Sequence, residues 1–161
     1  MERVIIIGCP GSGKSTFGRK LGKVFRLPLY HLDNLFWNED GTNVPREIFD
    51  ERLENVMSKK AWIIDGNYAR TMETRMKACD TIFFLDYEKE ICLKGIEERK
   101  GKKRSDMPWV EGYNTDEEFV SFVKEFNTEN RPKIIELLEK YSNKNIVVFK
   151  TREEAEEFLE I

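Results

Sequence analysis

Residues 8–16 read GCPGSGKST, directly behind the apolar run VIII of residues 4–7. Gly8, Gly13, Lys14 and Ser15 occupy the fixed positions of the pattern GxxxxGK[ST]. Gly11 and Gly13 carry no side chain, so the backbone there can curl and aim several N–H groups at one anion. A helix starting near Lys14 adds the positive end of its dipole. Lys14 can reach the β and γ phosphates of a nucleotide, and the Ser15 hydroxyl can join a Mg²⁺ shell. An ordinary Gly-rich turn is the plain alternative. It does not account for the strand pattern before the motif and the amphipathic helix pattern after it. Gly8, Pro10, Gly11, Ser12, Gly13, Lys14, Ser15 and Thr16 are therefore candidate residues for binding ATP with Mg²⁺, and Lys14 is also a candidate catalytic residue.

Two further clusters follow apolar runs. The stretch AWIIDGNYAR, residues 61–70, ends its run at Asp65. A carboxylate at such a strand end can hold Mg²⁺ directly or through water. Asp86, closing TIFFLD, competes for that role. Asp65 is preferred because Gly66, Asn67 and Arg70 follow it, a polar cluster where ligands gather in open α/β sheets. The stretch LPLYHLDNLFW places His31, Asp33 and Asn34 at the end of another run, ahead of Phe36 and Trp37. Asp33 can hold or deprotonate an acceptor hydroxyl there, or serve only as a loop acid. His31 reads as a structural hydrogen-bonding group, and Trp37 as packing. An acceptor bearing a phosphate would call on Arg70 and Arg75; a nucleoside or sugar would rely more on Asp33. Residues from about 33 to 60 form the expected acceptor flap.

Arg99, Lys100, Lys102, Lys103 and Arg104 make a run of five cations around Gly101. A solvated charge run and a nucleic-acid patch are the alternatives to a phosphate-facing lid over about 99–116. Arg99 and Arg104 suit the lid role because a guanidinium presents a fixed fork of donors to a transferring phosphoryl group. Arg131, before Pro132 at a helix start, is a weaker candidate.

The elements that must hold these groups alternate along the chain. Strand-like runs cover 3–7, 28–32, 62–65, 81–86 and 145–149, rich in Ile, Val or Phe without polar alternation, as in strands buried on both faces. Helical patterns cover 14–25, 47–59, 88–99 and 116–141, the last broken at Pro132. A final helix, 151–159, opens on a Thr151–Glu154 capping box. This alternation predicts an α/β fold, a parallel sheet with helices on both faces, in a single domain. The 161 residues allow a sizeable core, and the 40% hydrophobic, 35% charged composition is that of a soluble globular chain. Apolar runs such as 4–7 and 82–85 stop at four residues, so no membrane span is expected, and the default location is the cytoplasm. Three cysteines without CxxC spacing and one histidine argue against a zinc site or a disulfide framework. The net charge of −3 argues against direct nucleic-acid binding.

With these motifs in place, RVIIIGCPGSGKSTFGRKLGKVFRLPLYHLDNLFW, AWIIDGNYARTMETRMKACDTIFFLD and the basic ERKGKKR resemble the bacterial adenylate-kinase-related proteins known as DNA topology modulation proteins. The resemblance covers nearly the whole chain. It implies a P-loop, nucleoside-monophosphate-kinase-like fold, with a five-stranded parallel sheet in the order 2-3-1-4-5. It also implies ATP with Mg²⁺ as phosphoryl donor to a small acceptor, a nucleotide or nucleoside. WIIDGNYAR is similar to the DG-aromatic-PR segment of adenylate kinases, whose Arg grips the acceptor phosphate. Here Arg70 follows Asp65 by five positions instead of four, and the Pro is absent. In this fold Lys150, Thr151 and Arg152 would lie near the donor adenine. A nucleotide-dependent, DNA-associated regulator without metabolic kinase activity is the competing function.

Overall fold

The computed structural model describes residues 1–99 and 116–160. Five strands form one sheet: β1 (Arg3–Gly8), β2 (Leu29–His31), β3 (Trp62–Asp65), β4 (Thr81–Leu85) and β5 (Asn145–Phe149). Their order is β2-β3-β1-β4-β5 and every neighbouring pair is parallel, as expected from the alternating pattern and the resemblance. Ile5 and Ile7 face one side of β1 and Val4 and Ile6 the other, and all four are fully buried. Both faces of the sheet are thus covered, which is why its central strands carry no polar alternation.

The helices are α1 (Lys14–Phe25), α2 (Leu32–Phe36), α3 (Arg46–Met57), α4 (Ala69–Ala78), α5 (Lys89–Arg99), α6 (Asp116–Glu125), α7 (Arg131–Lys140) and α8 (Arg152–Leu159). Residues Phe126–Asn130 form a π-helical turn joining α6 to α7. Thr151 caps α8 by accepting from the Glu154 N–H, as the capping signal predicts. The reading of 47–59 as a helix is observed as Arg46–Met57, shifted by a residue or two at each end.

Two elements escaped the pattern. The short α2 begins where β2 was expected to run on, and α4 occupies a stretch for which no helix was expected. Its buried stripe is Thr71, Met72, Arg75 and Met76, at helical spacing but with a threonine and an arginine in place of two apolar residues.

The end of the molecule that carries the P-loop is braced by an aromatic cluster. Phe17 of α1 meets Phe83 and Phe149 edge-on at 5.2 and 5.5 Å between ring centres, and Phe158 of α8 meets Phe83 at 5.2 Å. Such pairs contribute about 0.5–1.5 kcal/mol each beyond their burial. They fix α1, and so the helix start that closes the phosphate cradle.

Candidate active site

The P-loop curls through two left-handed glycines, Gly11 (φ 83°) and Gly13 (φ 91°). The Ser12 N–H donates to the Cys9 carbonyl at 3.0 Å, and the Phe17 N–H to that of Gly13 at 2.9 Å. A Cβ on Gly11 would come within 2.1 Å of the Cys92 carbonyl, so α5 lies backbone to backbone against the cradle. Gly13 caps α1 without a side-chain bond, and the first turn of α1 holds no acidic residue. The dipole end and its N–H groups are therefore left for an anion. Lys14 Nζ donates to the carbonyls of Gly8 and Cys9 at 3.2 and 3.3 Å, across the same loop. The Ser12 hydroxyl is 2% exposed and, among the described residues, is the one buried side-chain polar atom without a hydrogen-bond partner. An orphaned hydroxyl, a left-handed nest and a bare helix end fit a triphosphate. The Cys9 thiol is pushed well above its usual pKa by a hydrogen bond with Cys92 and by burial, and stays protonated.

Beside the cradle, Asp65 and His31 stand opposite each other on β3 and β2. His31 Nδ1 lies 2.5 Å from Asp65 Oδ2 and both residues are buried. The structural hydrogen bond expected of His31 is therefore made to Asp65, the residue expected to hold Mg²⁺ with Ser15.

After Asp65 the chain must leave the sheet at once. Gly66 takes φ 130°, and a Cβ there would press to 2.9 Å on Leu32, so only glycine fits. Asn67 then continues the β1·β3 ladder with its side chain: Oδ1 accepts from the Gly8 N–H at 3.1 Å and Nδ2 donates to the Gly8 carbonyl at 2.7 Å. Tyr68 adopts φ 34°, a left-handed conformation that is strained for a bulky residue. Its hydroxyl donates to Asp33 Oδ1 at 2.5 Å. Burial, followed by the Asp33 charge, pushes the Tyr68 hydroxyl far above its usual pKa, so it remains a donor. The Tyr68 ring packs on Phe36 and Phe49 at 5.1 and 5.4 Å, and Phe36 meets Trp37 edge-on at 5.0 Å. The aromatics after Asp33 are thus a packed cluster linking α2, α3 and the Tyr68 turn.

The two arginines considered for an acceptor phosphate have other partners. Arg70 pairs with Asp50 of α3 through both terminal nitrogens, at 2.6 and 3.2 Å, at the surface. Arg75 is fully buried and donates to the carbonyls of Gly66, at 3.0 Å, of Asn67, and of Tyr68, at 3.0 Å. Burial lowers its pKa to about 9, still on the charged side at neutral pH. Arg75 therefore braces the turn from within the fold, a correction to its reading as a phosphate ligand. Arg99 is the last residue of α5, and Arg104 and the rest of the basic run lie outside the described residues.

At the other edge of the site, Asp86 is held by a bidentate bond from Arg131, 2.8 Å at each oxygen, and by Lys150 at 2.5 Å. Burial opposes its ionisation, but these two cations keep its carboxyl below the usual range. Asp86, the competitor to Asp65, is thus neutralised by a triad that ties β4 to α7 and to the β5–α8 loop. Arg152 reaches the cradle, donating to the Gly11 carbonyl at 3.2 Å. A cavity of about 290 Å³ opens between α4 and α7, lined in part by Asn67, Tyr68, Met72, Lys133 and Ile134.

Comparisons with known proteins bear on this arrangement. The sequence model of the shikimate kinase family (SKI) matches residues 10–60, from the cradle to the end of the expected flap. Over its full length the chain superposes on the shikimate kinase of Acinetobacter baumannii in complex with shikimate, with a TM-score of 0.63, 16% identity, and coverage of 99% of this chain and 92% of that one. The shikimate kinase of Bacteroides thetaiotaomicron gives a TM-score of 0.61, 19% identity, and coverage of 99% and 94%. The fold is a P-loop kinase fold. In sequence, an adenylate kinase of Rickettsia bellii is 31% identical over 58% of this chain and 56% of its own length. A shikimate kinase of Clostridium botulinum is 41% identical over 37% of this chain and 35% of its own. The chain thus spans about half the length of the adenylate kinases it matches.

The site residues that sequence reasoning missed are Tyr68 and the bracing function of Arg75. An i, i+4 pairing of Thr71 with Arg75, flanked by Met72 and Met76, was the available signal: the Arg75 Nε donates to Thr71 Oγ1 at 3.3 Å.

Proposed function

We propose that this chain is an ATP-dependent kinase that phosphorylates the hydroxyl of a small acceptor, a nucleoside or similarly small polar molecule in preference to a nucleotide. The observation that carries the acceptor half is the Asp33–Tyr68 pair at the same sheet edge as the cradle. Gly8, Pro10, Gly11, Ser12, Gly13, Lys14, Ser15 and Thr16 would hold the triphosphate, with Ser15 and Asp65 as the chain's ligands to Mg²⁺. Bound there, Mg²⁺ would neutralise charge on the phosphate oxygens. Asp33, aimed by the Tyr68 hydroxyl, would take the acceptor's hydroxyl proton as that oxygen bonds the γ-phosphorus and ADP leaves.

The preference against a nucleotide rests on the arginines. Arg70 is engaged by Asp50, and Arg75 by three carbonyls. An acceptor phosphate would have to take cations from elsewhere. The cavity beside Tyr68, at about 290 Å³, also suits a small molecule. The relatives, named for shikimate and adenylate, support kinase chemistry without choosing the acceptor. We place the region from 33 to 60, which contains α2 and α3, as the acceptor flap, and Arg99 and Arg104 as the lid cations that would face the transferring phosphoryl group.

The test is a screen with MgATP against nucleosides, nucleoside monophosphates and small hydroxylated acids, read by ADP release. We expect one hydroxyl-bearing class to raise ADP release, and Asp33→Asn to reduce that rate by about 10²–10⁴-fold, the usual range for a lost general base. ADP release that no acceptor changes would overturn the reading.

A further inference from the structure

We propose that the Gly66–Tyr68 turn sets the donor cradle and the acceptor acid in register, with the buried Arg75 as the positioning residue that holds the turn. The catalytic half of this inference rests on the kinase reading above; the binding half does not. Two consecutive side chains of the turn point to opposite halves of the site. Asn67 takes both backbone groups of Gly8, the first residue of the cradle, at 3.1 and 2.7 Å. Tyr68 donates to Asp33 at 2.5 Å. A shift of this turn moves both at once.

The turn does not hold itself. Gly66 and Tyr68 both carry positive φ, 130° and 34°, and the second is strained for a tyrosine. Of the turn's three successive carbonyls, that of Tyr68 accepts from the Thr71 N–H and hydroxyl, at 3.1 and 3.3 Å. Arg75, nearly two turns into α4, donates to all three, and its Nε to Thr71. A guanidinium is the side chain suited to this, because its planar fork reaches several acceptors from one fixed plane. Arg75 is fully buried and, among the described residues, directs its hydrogen bonds to these carbonyls and to Thr71 rather than to a carboxylate. Burial of a cation for packing alone would be costly, which favours a role in holding the turn.

The route is tested with the magnesium complex of a non-hydrolysable ATP analogue, whose dissociation constant is read by calorimetry without turnover. Arg75→Lys keeps the charge and loses the fork, and Asn67→Ala releases Gly8. Each should weaken binding about tenfold, the worth of one hydrogen-bonded contact. Because both act through Gly8, the double variant should be no weaker than either alone. Tyr68→Phe should leave that binding within about twofold and lower kcat about tenfold with the acceptor giving the highest ADP release in the screen. Arg75→Lys binding within about twofold of the parent, or a double variant with additive losses, would overturn the inference. If Arg75→Lys does not fold, Asn67→Ala decides, and unchanged binding overturns it. If no acceptor is phosphorylated, the kinase reading fails while the binding cycle still decides the role of Arg75.

Discussion

At the scale of single residues, the site divides into a donor set and an acceptor set. Lys14 spans its own loop to the Gly8 and Cys9 carbonyls, a position from which its charge faces the cradle. Lys14→Ala should cut ATP turnover by at least about 10²-fold, as loss of a charge aimed at transferring phosphate does, with the melting temperature little changed; turnover and a thermal melt measured together check this. The donor residues were legible because their chemistry is local: a curled backbone, a lysine and a hydroxyl all fall within nine consecutive positions, 8–16. The acceptor side was legible only in part. Asp33 was identifiable as an acid at a strand end, but its partner Tyr68 lies 35 positions away, beyond what spacing can signal. Arg75 was misread for a physical reason. A cation in a phosphate-binding protein suggests an anion, whereas this one spends its donors on uncharged carbonyls.

At the scale of elements, two contacts decide whether the site keeps its shape. The first is the seat of α5 on the cradle, where Gly11 and the Cys92 carbonyl leave no room for a methyl group. Gly11→Ala should therefore displace α5 or the loop and abolish nucleotide binding, measured by titration with the magnesium complex of a non-hydrolysable ATP analogue. The second is the triad of Asp86 with Arg131 and Lys150. The Asp86 carboxyl is held below its ordinary range, so its contribution to stability is complete above the ordinary carboxylate pKa and is lost as pH falls through the lowered value. Asp86→Asn should cost about 2 kcal/mol near neutral pH, and the parent and variant should converge in urea unfolding as pH drops below about 4. The elements most legible in the sequence, β1, α1, β3 and β5, have uninterrupted apolar runs or a clean helical stripe ended by a turn. The helix α4 was hidden because its buried face carries Thr71 and Arg75. The short α2, at five residues, has too few turns to show a period.

At the scale of the whole molecule, one parallel sheet brings Gly8, Asp65, His31, Asp33 and Asp86 to the carboxyl ends of four neighbouring strands, where open α/β sheets bind ligands. Nucleotide binding should therefore stabilise the chain as a unit. At about 100 times its dissociation constant, MgATP should add about 2.7 kcal/mol, or roughly 5–10 °C in melting temperature for a chain of this size. The most direct test of the account is a single-turnover experiment with ATP labelled in its γ-phosphoryl group, run with the screened acceptor. The parent chain should move the label to the acceptor. Asp33→Asn should bind MgATP with unchanged affinity and leave the label on ATP. Label released as inorganic phosphate at one rate, whether or not the acceptor or the Asp33 carboxylate is present, would contradict it.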